Sequence, residues 1–90
     1  MKVSGRQVAA ARDLLGLSQA ELAAVVGVVR ETVARFENGL AEPSPKTLNR
    51  ITDELERRGI EFTNGTGIGV RLDFAKAEAA ARSEGTGTPR

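Results

Sequence analysis

Leu15-Gly16-Leu17-Ser18-Gln19-Ala20-Glu21-Leu22-Ala23, then Gly27-Val28, then Val33-Ala34-Arg35-Phe36-Glu37-Asn38-Gly39 decides the fold of this chain. Ser18-Gln19-Ala20-Glu21 is a capping box: the hydroxyl takes the amide three residues on, and the carboxylate reaches back to the first amide. Leu22, Ala23 and Val26 form the inner face of the helix that follows, and Gly27 stops it after about two turns. The next helix runs from about Arg30 to Glu37 with Val33 and Phe36 inward, and Asn38-Gly39 ends it. Two short helices are thus joined by a tight turn at Gly27-Val28-Val29.

Outward from that unit, Val8, Ala11 and Leu15 recur at helical spacing, with Arg6, Gln7, Arg12 and Asp13 between them. They predict an amphipathic first helix over 4–15, with Gly16 as a left-handed stop. On the other side, Ser44 and Pro45 make an N-cap and first helical residue. Leu48, Ile51 and Leu55 give a fourth helix its buried stripe, and Arg57-Arg58 suit its C-terminus before Gly59. The period then changes to two. Ile60 and Phe62 flank Glu61, while Ile68, Val70, Leu72 and Phe74 alternate with Gly69, Arg71 and Asp73. With Asn64-Gly65-Thr66-Gly67 between them, they predict a β-hairpin with one apolar face. Ala75 to Arg82 is an Ala-rich helical stretch, and Gly85 to Arg90 reads as a frayed tail. The expected architecture is mainly α: a four-helix, helix-turn-helix unit over 4–59, a hairpin over 60–74, and a short helix and tail over 75–90.

Composition excludes more than it suggests. Thirteen Lys+Arg face twelve Asp+Glu, spread evenly along the 90 residues, so neither end is a basic or acidic tail. Cys and His are absent, which removes disulfides, thiolate nucleophiles, the usual general base and the usual metal ligands. No catalytic constellation, metal site or cofactor is expected, and the residue set argues against an enzyme. The amino terminus has no apolar stretch behind its charge, and the longest apolar run, Leu22 to Val29, is far short of the ~20 residues of a membrane helix. A soluble, cytoplasmic protein without a membrane partner is expected.

The strings around Ser18, Gly27 and Asn38 resemble the Cro/lambda-repressor (XRE) type of helix-turn-helix regulator over about residues 6–58, in register across both helices and the turn. The segments around Ile60-Glu61-Phe62 and Val70-Arg71-Leu72 also resemble the ending of a small bacterial subgroup of these regulators. The resemblance implies that the third helix enters the major groove of double-stranded DNA. Val29, Arg30, Glu31 and Thr32 then face base edges, and Arg35, one turn on, reaches a base or the far phosphate. Ser18 and Gln19 at the start of the second helix, the backbone around Asn38 and Gly39, and Ser44, Lys46 and Thr47 hold phosphates. Arg matches guanine bidentately and a carboxylate accepts from cytosine, so Arg30 beside Glu31 suits half-sites containing G·C. Arg12 and Glu37 fall on family positions that pair between the first and third helices, a structural role.

Each reading has a plainer rival. Arg30, Glu31 and Arg35 also suit a solvated helix face, and Arg6 reads as solvated. Gly65-Thr66-Gly67-Ile68-Gly69 lacks the strand-then-helix context of a phosphate loop and reads as a hairpin loop. There is one departure from the family pattern: Val29 stands where a capping Ser or Thr is usual, at a cost of about 1 kcal/mol unless the position serves an apolar contact.

The function expected is a sequence-specific transcriptional regulator, a repressor or autoregulator, acting as a homodimer on a palindromic operator without a small-molecule ligand. Phage repressors, conjugative-element regulators and antitoxins all share the resemblance. The dimer is expected through the hairpin stripe of Ile60, Phe62, Ile68, Val70, Leu72 and Phe74, part of which packs near Leu55. That would set recognition helices roughly 34 Å apart. The alternatives are a hairpin that only covers the core, or an antitoxin-like module whose carboxy-terminal segment covers another protein.

Overall fold

The computed structural model describes residues 2–85. Five helices and two strands follow in the order α1 (Gly5–Leu15), α2 (Gln19–Val26), α3 (Arg30–Glu37), α4 (Pro45–Arg57), β1 (Ile60–Thr63), β2 (Gly69–Leu72) and α5 (Phe74–Gly85). The mainly helical, hairpin-extended architecture is the one the sequence predicts. Residues 86–90, most of the predicted tail, lie outside the described residues, and Gly85 closes α5 instead.

Local chemistry sets the helix ends. Ser4, Ser18 and Ser44 each accept the backbone amide three residues on, from Gln7, Glu21 and Thr47. Ser4 and Gln7 form a second capping box, signalled in the sequence by Ser4-Gly5-Arg6-Gln7. Gly16 and Gly27 end α1 and α2 in the left-handed region, at φ 66° and 79°. Gly5 serves a different need: a Cβ there would stand 2.0 Å from the Phe36 carbonyl oxygen, so only glycine lets α1 start against the end of α3.

The core gathers Val8 and Ala11 from α1, Leu22, Ala23 and Val26 from α2, Val33 and Phe36 from α3, and Ile51 and Leu55 from α4. Val3 and Ile60, on either side of the helical unit, complete it. Burying the Val, Leu, Ile and Phe side chains among them contributes roughly 1.5–3 kcal/mol each before the entropy of ordering is counted. Because Ile60 is only 2% exposed, the hairpin is continuous with the helical core.

The strands pair antiparallel with Ile60 opposite Leu72 and Phe62 opposite Val70. The hairpin is shorter than the alternation suggests. β2 ends at Leu72, and Asp73 turns the chain: its amide donates to the Gly59 carbonyl at 2.8 Å, and its carboxylate caps α5 by accepting from the Lys76 amide. Phe74 is therefore the first residue of α5 rather than a strand residue, and Ile68 precedes β2 in the loop. The connection also differs from a tight Asn-Gly turn, which needs φ > 0 at both central residues. Neither Asn64 nor Gly65 has positive φ. Asn64 instead uses its side chain, accepting from the Gln7 amide at 2.9 Å and donating to the Lys2 carbonyl at 3.2 Å.

Gln7, expected on the polar side of α1, is 2% exposed. Its Nε2 reaches the Thr63 carbonyl, Asn64 Oδ1 and the Gly69 carbonyl at 2.9–3.1 Å, and its Oε1 accepts from the Ser4 amide. One buried amide thus caps α1 and fastens both arms of the hairpin.

Candidate nucleic-acid interface

α2 and α3 are fixed to α1 through one hydrogen-bonded chain of side chains. Arg12 meets Glu37 in a fork, Nε to Oε2 at 2.9 Å and Nη2 to Oε1 at 3.0 Å, and its Nη1 donates to the Leu17 carbonyl at 2.9 Å. The Glu37 side chain is 4% exposed and that of Arg12 16%. The hydrogen bond to Glu37 raises the Arg12 pKa against the opposing effect of burial. The resemblance implied this pair, and the geometry shows it holding the C-terminal end of α3 against α1.

The chain continues to the other end of α3. Gln19, first residue of α2, donates from Nε2 to Glu37 Oε1 at 2.9 Å, and its Oε1 accepts from Arg30 Nη1 at 3.1 Å. Expected as a phosphate contact, Gln19 here links the buried carboxylate to the exposed guanidinium that opens α3. A side chain with five planar donors on a flexible stem is given one preferred direction by that contact.

Around Arg30, α3 turns its polar face outward. Val29, Arg30, Glu31 and Arg35 are exposed and Thr32 is half-buried, while Val33 and Phe36 point into the core. Val29 is the N-cap residue, makes no side-chain capping bond and is 68% exposed. Among the helix starts of the four-helix unit, this one has a bare apolar side chain where the others have a Ser hydroxyl.

The helix-turn-helix family profile matches residues 8–62, more than half of the chain. The chain belongs to the XRE-type helix-turn-helix family. This helix-turn-helix protein is also similar to an uncharacterized HTH-type transcriptional regulator of Methanothermobacter thermautotrophicus (strain Delta H). The two are 46% identical over 50 residues, which cover 56% of this chain and 72% of that relative. The family assignment makes the helical unit a DNA-binding one, and α2 with α3 its helix-turn-helix.

The remaining predicted contacts of this helix-turn-helix protein lie at the ends of α2, α3 and α4. Ser18 is committed to capping, and the Glu21 carboxylate that completes the box is held below its usual pKa by the Ser18 amide and hydroxyl. Asn38 and Gly39 are exposed at the end of α3, Gly39 with φ 74°. Ser44 and Lys46 are exposed at the start of α4, where Thr47 is half-buried and shares a hydroxyl contact with Ser44 at 3.2 Å. Between those two helix ends runs Leu40-Ala41-Glu42-Pro43, whose Glu42 carboxylate meets Lys2 Nζ at 2.6 Å. Neither Lys2 nor Glu42 belongs to the family motif, and nothing in their spacing of 40 residues signals the contact.

The predicted dimer stripe divides. Ile60 is core, Phe62, Val70 and Leu72 are half-buried against it, and Ile68 and Phe74 are left 60% and 81% exposed. Among the described residues no group of carboxylates is arranged to hold a metal ion, and no helix is long and apolar enough to cross a membrane.

Proposed function

We propose that this chain is a sequence-specific transcriptional regulator, a repressor that also controls its own expression, and that it binds a palindromic operator as a homodimer. The observation that carries this reading is the side-chain chain Arg12–Glu37–Gln19–Arg30, which joins a buried ion pair to the first residue of α3. A solvated helix face has no need of a buried carboxylate to aim one of its arginines. Arg30 then reads guanine, Glu31 accepts from cytosine, Val29 meets a thymine methyl, and Thr32 and Arg35 reach the neighbouring bases. Ser18, Gln19, Asn38, Gly39, Ser44, Lys46 and Thr47 line the flanking phosphates, several through backbone amides at helix starts.

The homodimer reading rests on Ile68 and Phe74, large apolar side chains exposed at the two ends of β2. Replacing both with Asp leaves the core untouched and should convert a sedimenting dimer to monomer while halving the operator footprint. A wild-type monomer that instead co-purifies with one partner protein through these residues would support the antitoxin-like reading. Genome-wide footprinting tests the regulator reading itself. It predicts a two-fold symmetric site with half-sites about 10 bp apart, including one upstream of the chain's own coding sequence.

A further inference from the structure

Lys2 and Val3 are built into the fold. Val3 is 5% exposed in the core, the Lys2 carbonyl accepts from Asn64 Nδ2 at 3.2 Å, and Asn64 is itself held by buried Gln7. The hairpin loop thereby fixes the backbone of Lys2 beside the α3–α4 loop, where its ammonium meets Glu42 at 2.6 Å. Lys2, Glu42, Pro43, Pro45, Leu48 and Asn49 surround a cleft of about 290 Å³ open to solvent next to the start of α4. That helix start carries Ser44, Lys46 and Thr47.

Charge makes this placement matter. Glu42 is a carboxylate on the loop leading into a surface that is to approach phosphates, and uncompensated it repels them. Its ion pair with Lys2 is exposed, 66% and 58% for the two side chains, so it is weak and exchangeable. A phosphate oxygen is a competing acceptor for the same ammonium. We propose that Lys2 is a DNA phosphate contact held in place by Asn64, and that Glu42 is the internal anion that phosphate displaces from it. This rests on the DNA-binding reading above. It gives the hairpin loop a part in DNA binding apart from any dimer contact.

The test is operator affinity measured across a range of salt for the full chain, with Lys2→Gln, Glu42→Gln, Asn64→Ala and the Lys2→Gln/Asn64→Ala double variant. Each phosphate neutralised contributes about 0.9 to the slope of log K against log salt. Lys2→Gln should weaken binding several-fold at low salt and flatten that slope by about 0.9 for each protomer on the operator, about 1.8 for the dimer. Glu42→Gln should tighten binding, because the ammonium loses its competitor. Asn64→Ala should weaken binding, and the double variant should be no weaker than Lys2→Gln alone. Melting curves show whether each variant is folded, and Lys2→Gln and Glu42→Gln alter only exposed side chains. A slope unchanged by Lys2→Gln, or weaker binding by Glu42→Gln, overturns the proposal. Arg30→Ala measured alongside separates the two readings: if it lowers operator preference while Lys2→Gln leaves the slope alone, α3 reads the DNA and Lys2 does not touch it.

Discussion

Two ion clusters in this molecule are built from similar residues and placed in opposite surroundings. Arg12 and Glu37 meet inside the helical unit, with Leu17 and Gln19 completing their hydrogen bonds. Glu61 meets Arg71 at 2.6 Å and Lys76 at 3.0 Å on the open face of the hairpin, with Asp73 beside them. Those contacts lower the Glu61 pKa and raise those of Arg71 and Lys76, chiefly through the hydrogen bonds themselves. Water and salt nevertheless compete for every partner there. The inner cluster fixes where α3 stands; the outer one decorates a surface that the core already holds. Proximity of charges alone therefore says little about what a pair does. Burial and the presence of a further partner decide it.

The largest expected effect comes from breaking the inner cluster. Glu37→Ala leaves the Arg12 guanidinium partly buried without its carboxylate, which costs about 3–5 kcal/mol in a well-buried pair. Thermal melts should show a domain of this size largely unfolded near room temperature, whereas Glu61→Ala should leave the melting temperature nearly unchanged. A Glu37→Ala variant as stable as the Glu61 variant would dissolve the contrast. Next comes the joint between the two regions. Gln7→Ala removes the side-chain bonds to the Thr63 and Gly69 carbonyls and to Asn64 and also removes a cap, a loss of about 1–3 kcal/mol. Amide hydrogen exchange should rise first in β1 and β2 and only afterwards in α3.

A smaller change runs in the stabilising direction. Val29→Ser supplies the missing cap of α3 and should raise stability by about 1 kcal/mol in denaturant titrations. Under the proposed role it also weakens operator binding, since the methyl groups are lost. Unchanged stability would show that α3 is fixed wholly by the Glu37 network. The smallest effect appears in acid. Glu54 accepts from Arg57 and Arg58 at the end of α4, and the Arg57 hydrogen bond leads in holding its pKa below 4.5. Its contribution is complete at neutral pH and fades as pH falls below 4.5 through the lower folded value. Melting temperatures of the wild type and Glu54→Gln should differ at neutral pH and converge in acid.

These contrasts also show what could be read from the chain. The helices announced themselves through period and caps: Ser18 with Glu21, Ser44 with Pro45, and Gly16 and Gly27 as stops. Arg12 and Glu37 came through family resemblance, since 25 residues separate them and no local rule pairs them. The alternation overruns the hairpin because Phe74 continues it, whereas Asp73 turns the chain by bonding Gly59 and capping α5. Gln7 looked like a surface residue because its neighbours are polar. Its burial depends on acceptors more than fifty residues away that exist only once the hairpin has docked. Gln19, whose two partners lie on a different helix, and Lys2 with Glu42 likewise meet partners that no local rule pairs with them.

The central claim is that α3, aimed by the Glu37–Gln19–Arg30 chain, reads bases. It is tested most directly by selecting preferred sites from a random DNA library with the wild type and with Arg30→Ala, Arg35→Ala and Gln19→Ala. Loss of a bidentate contact costs about 1–3 kcal/mol and relaxes preference at one position per half-site. The account predicts that Arg30→Ala relaxes one guanine position, that Arg35→Ala relaxes or weakens another, and that Gln19→Ala blurs the same position as Arg30→Ala. Site preferences identical to the wild type in all three variants, from folded protein, would contradict it.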